Sequence, residues 1–86
     1  MFNSKGYSLP KKTSLYKVKV GSTCTIEKIH INGLLRRRIM DLGIIPGTLV
    51  SCVRRGPTGD PSAYKVRGTT IALRKEDAEK IDVYPL

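Results

Sequence analysis

The sequence is poor in the residues from which most catalytic and metal centres are built. It has no tryptophan, one histidine (His30), two cysteines (Cys24 and Cys52) and seven acidic residues. No Ser-His-Asp or Cys-His arrangement is indicated, and the acidic residues show no paired spacing suited to acid–base work. With only 86 residues, the chain also buries too little to enclose a large substrate cavity. We therefore predict a binding module and not an enzyme, with no catalytic residues.

Long apolar runs are missing too. No stretch approaches the ~18 consecutive apolar residues that a membrane-spanning helix needs. The first fourteen residues lack the apolar segment of a secretory signal. We therefore expect a cytoplasmic protein without a transmembrane segment. Because residues 1–14 are polar and basic, we predict that they form a flexible tail and that the folded domain covers residues 15–86.

The charge is strongly one-sided. Sixteen Lys and Arg residues against seven acidic residues give a net charge of +9. Such a surface favours acidic partners, which include nucleic acid, an anionic membrane surface and an acidic protein face, although solubility alone is an equally good explanation. Base stacking requires exposed aromatic side chains, and few are expected to be exposed. Nucleic acid is therefore the less favoured partner, since the only aromatic residues are Phe2, Tyr7, Tyr16, Tyr64 and Tyr84.

Alternating apolar residues predict a mainly β chain of five to six short strands with two short helices. Asn32 is expected to cap the first helix, whose inner face carries Leu35, Ile39 and Leu42. Closure into a small barrel would remove bare strand edges. The strands are predicted at 16–20, 23–31 with a bulge near Lys28, 49–55, 62–67, 69–73 and 82–84, and the second helix at 75–81.

Four residues are predicted to fix the turns between these elements. Gly43 follows the first helix, where a left-handed cap favours a residue without a Cβ. Pro46 and Gly47 are the central pair of a type II turn over 45–48. Gly68 turns the chain between the fourth and fifth strands. The spacing of these glycines does not match a phosphate-binding loop, because the Lys and Ser/Thr that should follow are absent.

The run Arg36-Arg37-Arg38 on the first helix is the leading candidate for a partner-binding site. Arginine forks grip carboxylates and phosphates in a bidentate way. A solvated helix face with one Arg–Asp pair through Asp41 is the more common explanation of such a run. Arg36 has no acidic residue three or four positions ahead, so we expect it to be the freest of the three. Met40 lies off the main apolar face and is a second candidate.

A metal site is not predicted, although Cys24, His30 and Cys52 are its only candidates. Transition-metal sites need several converging N, O or S ligands. On a regular strand, Cys24 and His30 would share a side but lie about 20 Å apart. We therefore expect both cysteines to be free, buried side chains.

The stretch from Arg37 to Thr48 resembles the FeoA family, whose arginine-bearing helix ends in Leu-Gly-x-x-Pro-Gly. The segments Gly59-Asp60-Pro61, Val66-Arg67-Gly68, Ile71–Arg74 and Ala78–Ile81 resemble the later parts of that family in the same order. The resemblance runs from about Leu15 to Val83. It implies an SH3-like barrel in which Val50 and Cys52 point inward. From alternation alone, Leu49, Ser51 and Val53 could equally well be the inward residues of the third strand.

The resemblance also implies a role in ferrous iron uptake. A FeoA-like chain is expected to be a cytoplasmic accessory of the FeoB permease, held at the inner membrane through FeoB and binding its GTP-binding domain or another cytoplasmic part. A weak association with ferrous iron is the only cofactor implied, and self-association is an open alternative. The same module resembles the C-terminal domain of DtxR-type repressors. Because residues 1–14 do not predict a helix-turn-helix, we expect a transport accessory in preference to a repressor. The remaining alternatives are an SH3-like nucleic-acid binder and a metal-responsive regulatory domain.

Overall fold

The computed structural model describes residues 11–86, which form a six-stranded antiparallel sheet and two short α-helices. The mainly β class predicted from the sequence is confirmed. In chain order the elements are β1 Thr13–Ser14, a 3₁₀ turn Leu15–Lys17, β2 Thr23–Ile29, α1 Gly33–Asp41, β3 Leu49–Arg55, β4 Ser62–Val66, β5 Thr69–Leu73, α2 Lys75–Ala78 and β6 Ile81–Pro85.

The strands lie in the order β1-β6-β2-β3-β4-β5, so the last strand in the chain sits between the first two. All neighbours are antiparallel. One apolar core receives side chains from β2 to β6, both helices and the 3₁₀ turn, so the sheet curves around that core. Its largest fully buried side chains are Tyr64, Leu15, Ile26, Ile39, Ile44 and Ile81.

Several local predictions are confirmed. β3 covers residues 49–55 as expected, and both Val50 and Cys52 are fully buried. The pairing of β2 with β6 shifts register between Ile26 and Lys28, which is the position of the predicted bulge. β4 and β5 form a hairpin through the two-residue turn at Arg67 and Gly68.

The turn glycines have the backbone angles that their places require. Gly43, Gly47 and Gly68 have φ values of 108°, 92° and 80°. The N–H of Thr48 donates to the carbonyl of Ile45 at 3.0 Å, which closes the turn around Pro46 and Gly47. At Gly43 space is limiting as well, because an added Cβ would lie 3.1 Å from Cδ of Arg67.

The prediction of a strand over 16–20 is wrong. Residues 15–17 form the 3₁₀ turn, Val18 is buried and Val20 is 54% exposed. The cause is distant in sequence: Nη2 of Arg55 donates to the carbonyls of Tyr16 at 2.8 Å and Val18 at 2.7 Å. These carbonyls are therefore bonded to a side chain and not to a neighbouring strand.

The two ends of the chain also differ in detail from expectation. Thr13 and Ser14, at the end of the predicted tail, pair with Val83 and Asp82 of β6, while residues 1–10 of that tail lie outside the described residues. α2 ends at Ala78, so that Ile81 begins β6. No helix among residues 11–86 has the length and apolarity to cross a bilayer.

Candidate functional site: the outer face of helix α1

Helix α1 is held on the sheet by only one of its faces. Ile39 is buried, and Leu35 and Met40 pack against the core while remaining partly exposed. Leu42, which we expected on the inner face, is 38% exposed. Asn32 occupies the N-cap position with extended backbone angles, but its side chain makes no capping hydrogen bond. The opposite face of the helix is thus available to solvent.

The three arginines of α1 have different surroundings. Nη1 of Arg36 donates to the carbonyl of Ile29 at 2.8 Å and lies 3.4 Å from that of Ile31. The expectation that Arg36 is the freest of the three is therefore wrong, because its side chain ties α1 to the end of β2. Arg37 and Arg38 are exposed.

The expected pairing of Arg37 or Arg38 with Asp41 is absent from residues 11–86, where every ion pair involves Asp82. Both guanidinium groups are consequently unpaired in the described part of the chain. A hydrated charged group that has no internal partner breaks no existing ion pair when it meets a partner's carboxylate.

An exposed leucine completes this face, and it was not among the site residues predicted from the sequence. Leu34 is 85% exposed, the largest exposure among the big apolar side chains of residues 11–86. It stands five positions before the buried Ile39, which places it about 140° away around the helix. That angle was available from the sequence and would have separated Leu34 from Leu35.

Two shallow depressions flank these side chains. One, of about 300 Å³, is lined by Gly33, Arg36, Arg37, Met40 and Asp41. The other, of about 320 Å³, is lined by Leu34, Arg37, Arg38 and Asp41. We call Leu34, Arg37, Arg38 and the part of Met40 that remains exposed the α1 surface: an apolar anchor and a flexible thioether beside two cations.

The three candidate metal ligands do not come together. Cys24 and Cys52 are fully buried and free, and Sγ of Cys24 donates to the carbonyl of Val50 at 3.4 Å. Burial raises the pKa of the Cys24 thiol to about 11, with the nearby Cys52 adding to the effect, and this disfavours the thiolate that binds metals. His30 is exposed, and its Nε2 lies 2.7 Å from Oδ2 of Asp82. These residues do not fit a shared metal, and residues 11–86 hold no cluster of three potential ligands.

Known proteins resemble this chain over nearly its whole length. The family described as "FeoA domain" matches residues 13–85. A fusion of Fe(2+) transport protein A with Fe(2+) transporter FeoB from Porphyromonas gingivalis is 32% identical over 69 residues. That alignment covers 80% of this chain but only 8% of the fusion protein.

Solved structures agree with the sequence comparison. A FeoA-like protein from Clostridium acetobutylicum is 36% identical, with a TM-score of 0.78 and 91% of each chain covered. FeoA of Stenotrophomonas maltophilia, solved with zinc and described as a prokaryotic SH3 domain protein, is 29% identical, with a TM-score of 0.72 over 83% of this chain and 88% of that one. The SH3-like fold predicted from the sequence is thereby confirmed.

A repressor shares the fold, as the sequence resemblance implied. A manganese-dependent transcriptional repressor is 20% identical, with a TM-score of 0.78 over 96% of this chain and 47% of its own. At that identity the likeness concerns architecture alone. The match over residues 13–85 is of a different kind, since it spans the whole sheet and both helices. The chain belongs to the FeoA family.

Proposed function

We propose that this chain is a small cytoplasmic, non-enzymatic accessory of ferrous iron uptake that binds the cytoplasmic GTP-binding domain of FeoB and modulates transport. The observation that carries the proposal is the relative in which a FeoA segment and FeoB are one polypeptide. Fusion holds two modules at an effective concentration on the order of millimolar. Where the two are separate chains, affinity between their surfaces has to replace the covalent link.

The α1 surface is the part of the chain best suited to this docking. Leu34 supplies an apolar side chain that is 85% exposed and has much to gain from burial. Arg37 and Arg38, which have no ion-pair partner among residues 11–86, provide positive charge that would steer an acidic face toward the helix and orient it. Met40 adapts its shape to the partner more readily than a branched side chain would.

Arg36 has a supporting part in this proposal. Its hydrogen bonds to Ile29 and Ile31 fix α1 against β2 before any partner arrives. A helix that is already immobilised loses less conformational entropy on binding, which favours affinity. The role expected for Arg36 from the sequence thus changes from contact to positioning.

Calorimetric titration of the full chain with the GTP-binding domain of FeoB at low salt tests the proposal. We expect Leu34→Ala to weaken binding by about tenfold, as for a central interface residue. Arg37→Glu should weaken binding further and remove most of its dependence on salt.

The matched controls are Leu49→Ala and Lys19→Glu, which alter a 56% exposed leucine and an exposed cation away from α1. Both should bind like the parent chain. The proposal fails if no binding is seen at high micromolar concentration, or if Leu49→Ala is as damaging as Leu34→Ala.

A further inference from the structure

Strand β5 forms an edge of the sheet, and its backbone has polar groups directed away from β4. Val66 and Thr69 flank the two-residue turn at Arg67 and Gly68, where φ is 50° and 80°. In a hairpin of this kind the flanking pair exchanges both hydrogen bonds, and bonded pairs alternate with unbonded pairs along the ladder. Thr70 and Ala72 are therefore the unbonded members, with N–H and C=O pointing outward.

Neither residue has another backbone partner within residues 11–86. A row of outward N–H and C=O groups is a template for an additional strand. Proteins use such edges to bind extended peptides, with the backbone supplying affinity and alternate side chains supplying specificity.

The side chains beside this edge form a shallow groove. Two adjoining depressions of about 510 and 440 Å³ share Pro61 and Ala72, and Ala63 and Pro57 extend their floor. Ala63 lies directly across from Ala72 in the ladder. Because both side chains are small, a large apolar residue paired with Ala72 can lie over them. We call these two depressions, together with the free backbone edge of Thr70 and Ala72, the β5 groove.

Exposed cations surround the β5 groove. Arg54 and Arg74 line its two depressions, and Lys65 lies opposite Thr70. Among residues 11–86, Asp60 is the one acidic side chain that lines the groove. Its Oδ1 accepts a hydrogen bond from the N–H of Lys75 at 2.9 Å. A second copy of this chain pairing edge to edge would bring like charges together, which is destabilising.

We propose that the β5 groove binds an extended acidic segment of a partner protein by strand addition. The segment places a large apolar residue opposite Ala72 and an acidic residue two positions away, beside Lys65 or Arg74. Nucleic acid fits less well, since no aromatic side chain of the described residues 11–86 lines the groove for stacking. This site lies on different elements from the α1 surface, so that it stands or falls independently of FeoB docking.

The test uses a fluorescent peptide with capped ends that contains Glu-Val-Leu-Val-Glu. Because this sequence is symmetric, a parallel and an antiparallel strand present the same side chains to the groove. We expect anisotropy to report binding to the full chain, and the amide protons of Thr70 and Ala72 to become protected from exchange. Arg74→Glu should weaken binding by about tenfold. Lys19→Glu, a charge reversal away from the groove, should leave it unchanged.

Two control peptides isolate the two halves of the proposal. N-methylation of the leucine and of the valine that follows it removes the N–H that would bond to the carbonyl of Ala72 in an antiparallel strand and in a parallel strand respectively. The doubly methylated peptide should not bind if a strand is added. Replacing both glutamates by lysines should abolish binding if charge selects the partner. The proposal is overturned if either control peptide binds as well as the parent peptide, or if the parent peptide does not bind at millimolar concentration. It is also overturned if a single-stranded oligonucleotide binds in preference to the peptide, or if self-association protects Thr70 and Ala72 without peptide.

Discussion

Arg54 and Arg55 are sequence neighbours with opposite environments, as strand alternation indicates. Arg54 is exposed at the β5 groove. Arg55 is half-buried and donates hydrogen bonds to the carbonyls of Tyr16 and Val18 and to Oγ of Ser62, with its guanidinium 4.4 Å from the centre of the Tyr16 ring. Arg55 thus joins the 3₁₀ turn to β3 and β4.

We expect Arg55→Ala to lower the free energy of unfolding by ~2–3 kcal/mol, because two partly buried carbonyls lose a charged donor. Arg54→Ala should change the free energy by less than ~0.5 kcal/mol, as is usual for an exposed site. Urea denaturation of both variants checks this comparison. Equal stability of the two variants would contradict the role assigned to Arg55.

Cys24 illustrates how burial governs thiol chemistry. Its pKa is raised to about 11, so the fraction present as thiolate at pH 8 is about 100-fold lower than for a thiol with the ordinary pKa. We expect a disulfide reagent to modify Cys24 at least about 100-fold more slowly in the folded chain than in urea. An exposed cysteine introduced by Lys19→Cys should react quickly in the same sample. Rapid modification of Cys24 in the folded protein would show that the site opens without unfolding.

The candidate site could be predicted from the sequence only in part. The charge run identified α1, and the exposure of Arg37 and Arg38 agrees with the expected solvated face. Arg36 could not be assigned, since its acceptors are carbonyls at the end of β2 and just beyond it. Whether a helical arginine reaches such a carbonyl depends on how the helix packs, which local sequence does not specify.

Asp82 connects three elements of the sheet. It lies on β6, and its Oδ2 is 2.7 Å from Nε2 of His30, just after β2, and 3.6 Å from Nζ of Lys12, just before β1. The hydrogen bond from His30 is the main cause that lowers the pKa of the Asp82 carboxyl, and the charges of His30 and Lys12 add to it against the opposing effect of burial.

The direction of this pKa shift determines how the stability of the fold depends on pH. A carboxylate whose pKa is lowered by folding stabilises the fold above its ordinary value of 3.8, and that stability is lost as the pH falls through the lowered value. We expect the unfolding free energy of the parent chain to fall more steeply below about pH 4 than that of Asp82→Asn. His30→Gln should show an intermediate slope. If the unfolding free energy of all three chains had the same slope against pH, the stabilising role of the contacts of Asp82 would be contradicted.

The strands differ in how far sequence alone identifies them. The hairpin of β4 and β5 is local: its residues alternate, its turn carries Gly68, and its partner strands are adjacent in the chain. The segment 16–20 alternates equally well, yet it forms a turn and a coil because Arg55, 37 and 39 residues away, binds its carbonyls. Alternation predicts a strand only where no distant side chain competes for the backbone.

The whole sheet depends on its final strand. β6 pairs with both β1 and β2, and its Ile81 and Val83 are fully buried in the core. We expect a chain ending at Lys80 to be unfolded by circular dichroism, since it loses two ladders and part of the core at once. A chain ending at Pro85 should remain folded, since it loses only one backbone hydrogen bond, from Leu86 to Thr23. Native-like spectra for the shorter chain would contradict this dependence.

The position of β6 also has a consequence for synthesis on the ribosome. Until the residues of β6 leave the exit tunnel, β1 and β2 have no strand to join them, and the nascent domain is incomplete. When this module heads a longer polypeptide, translation of the downstream sequence pushes β6 clear, and the domain can close while its neighbour is still being made. When translation stops shortly after β6, closure has to wait for release.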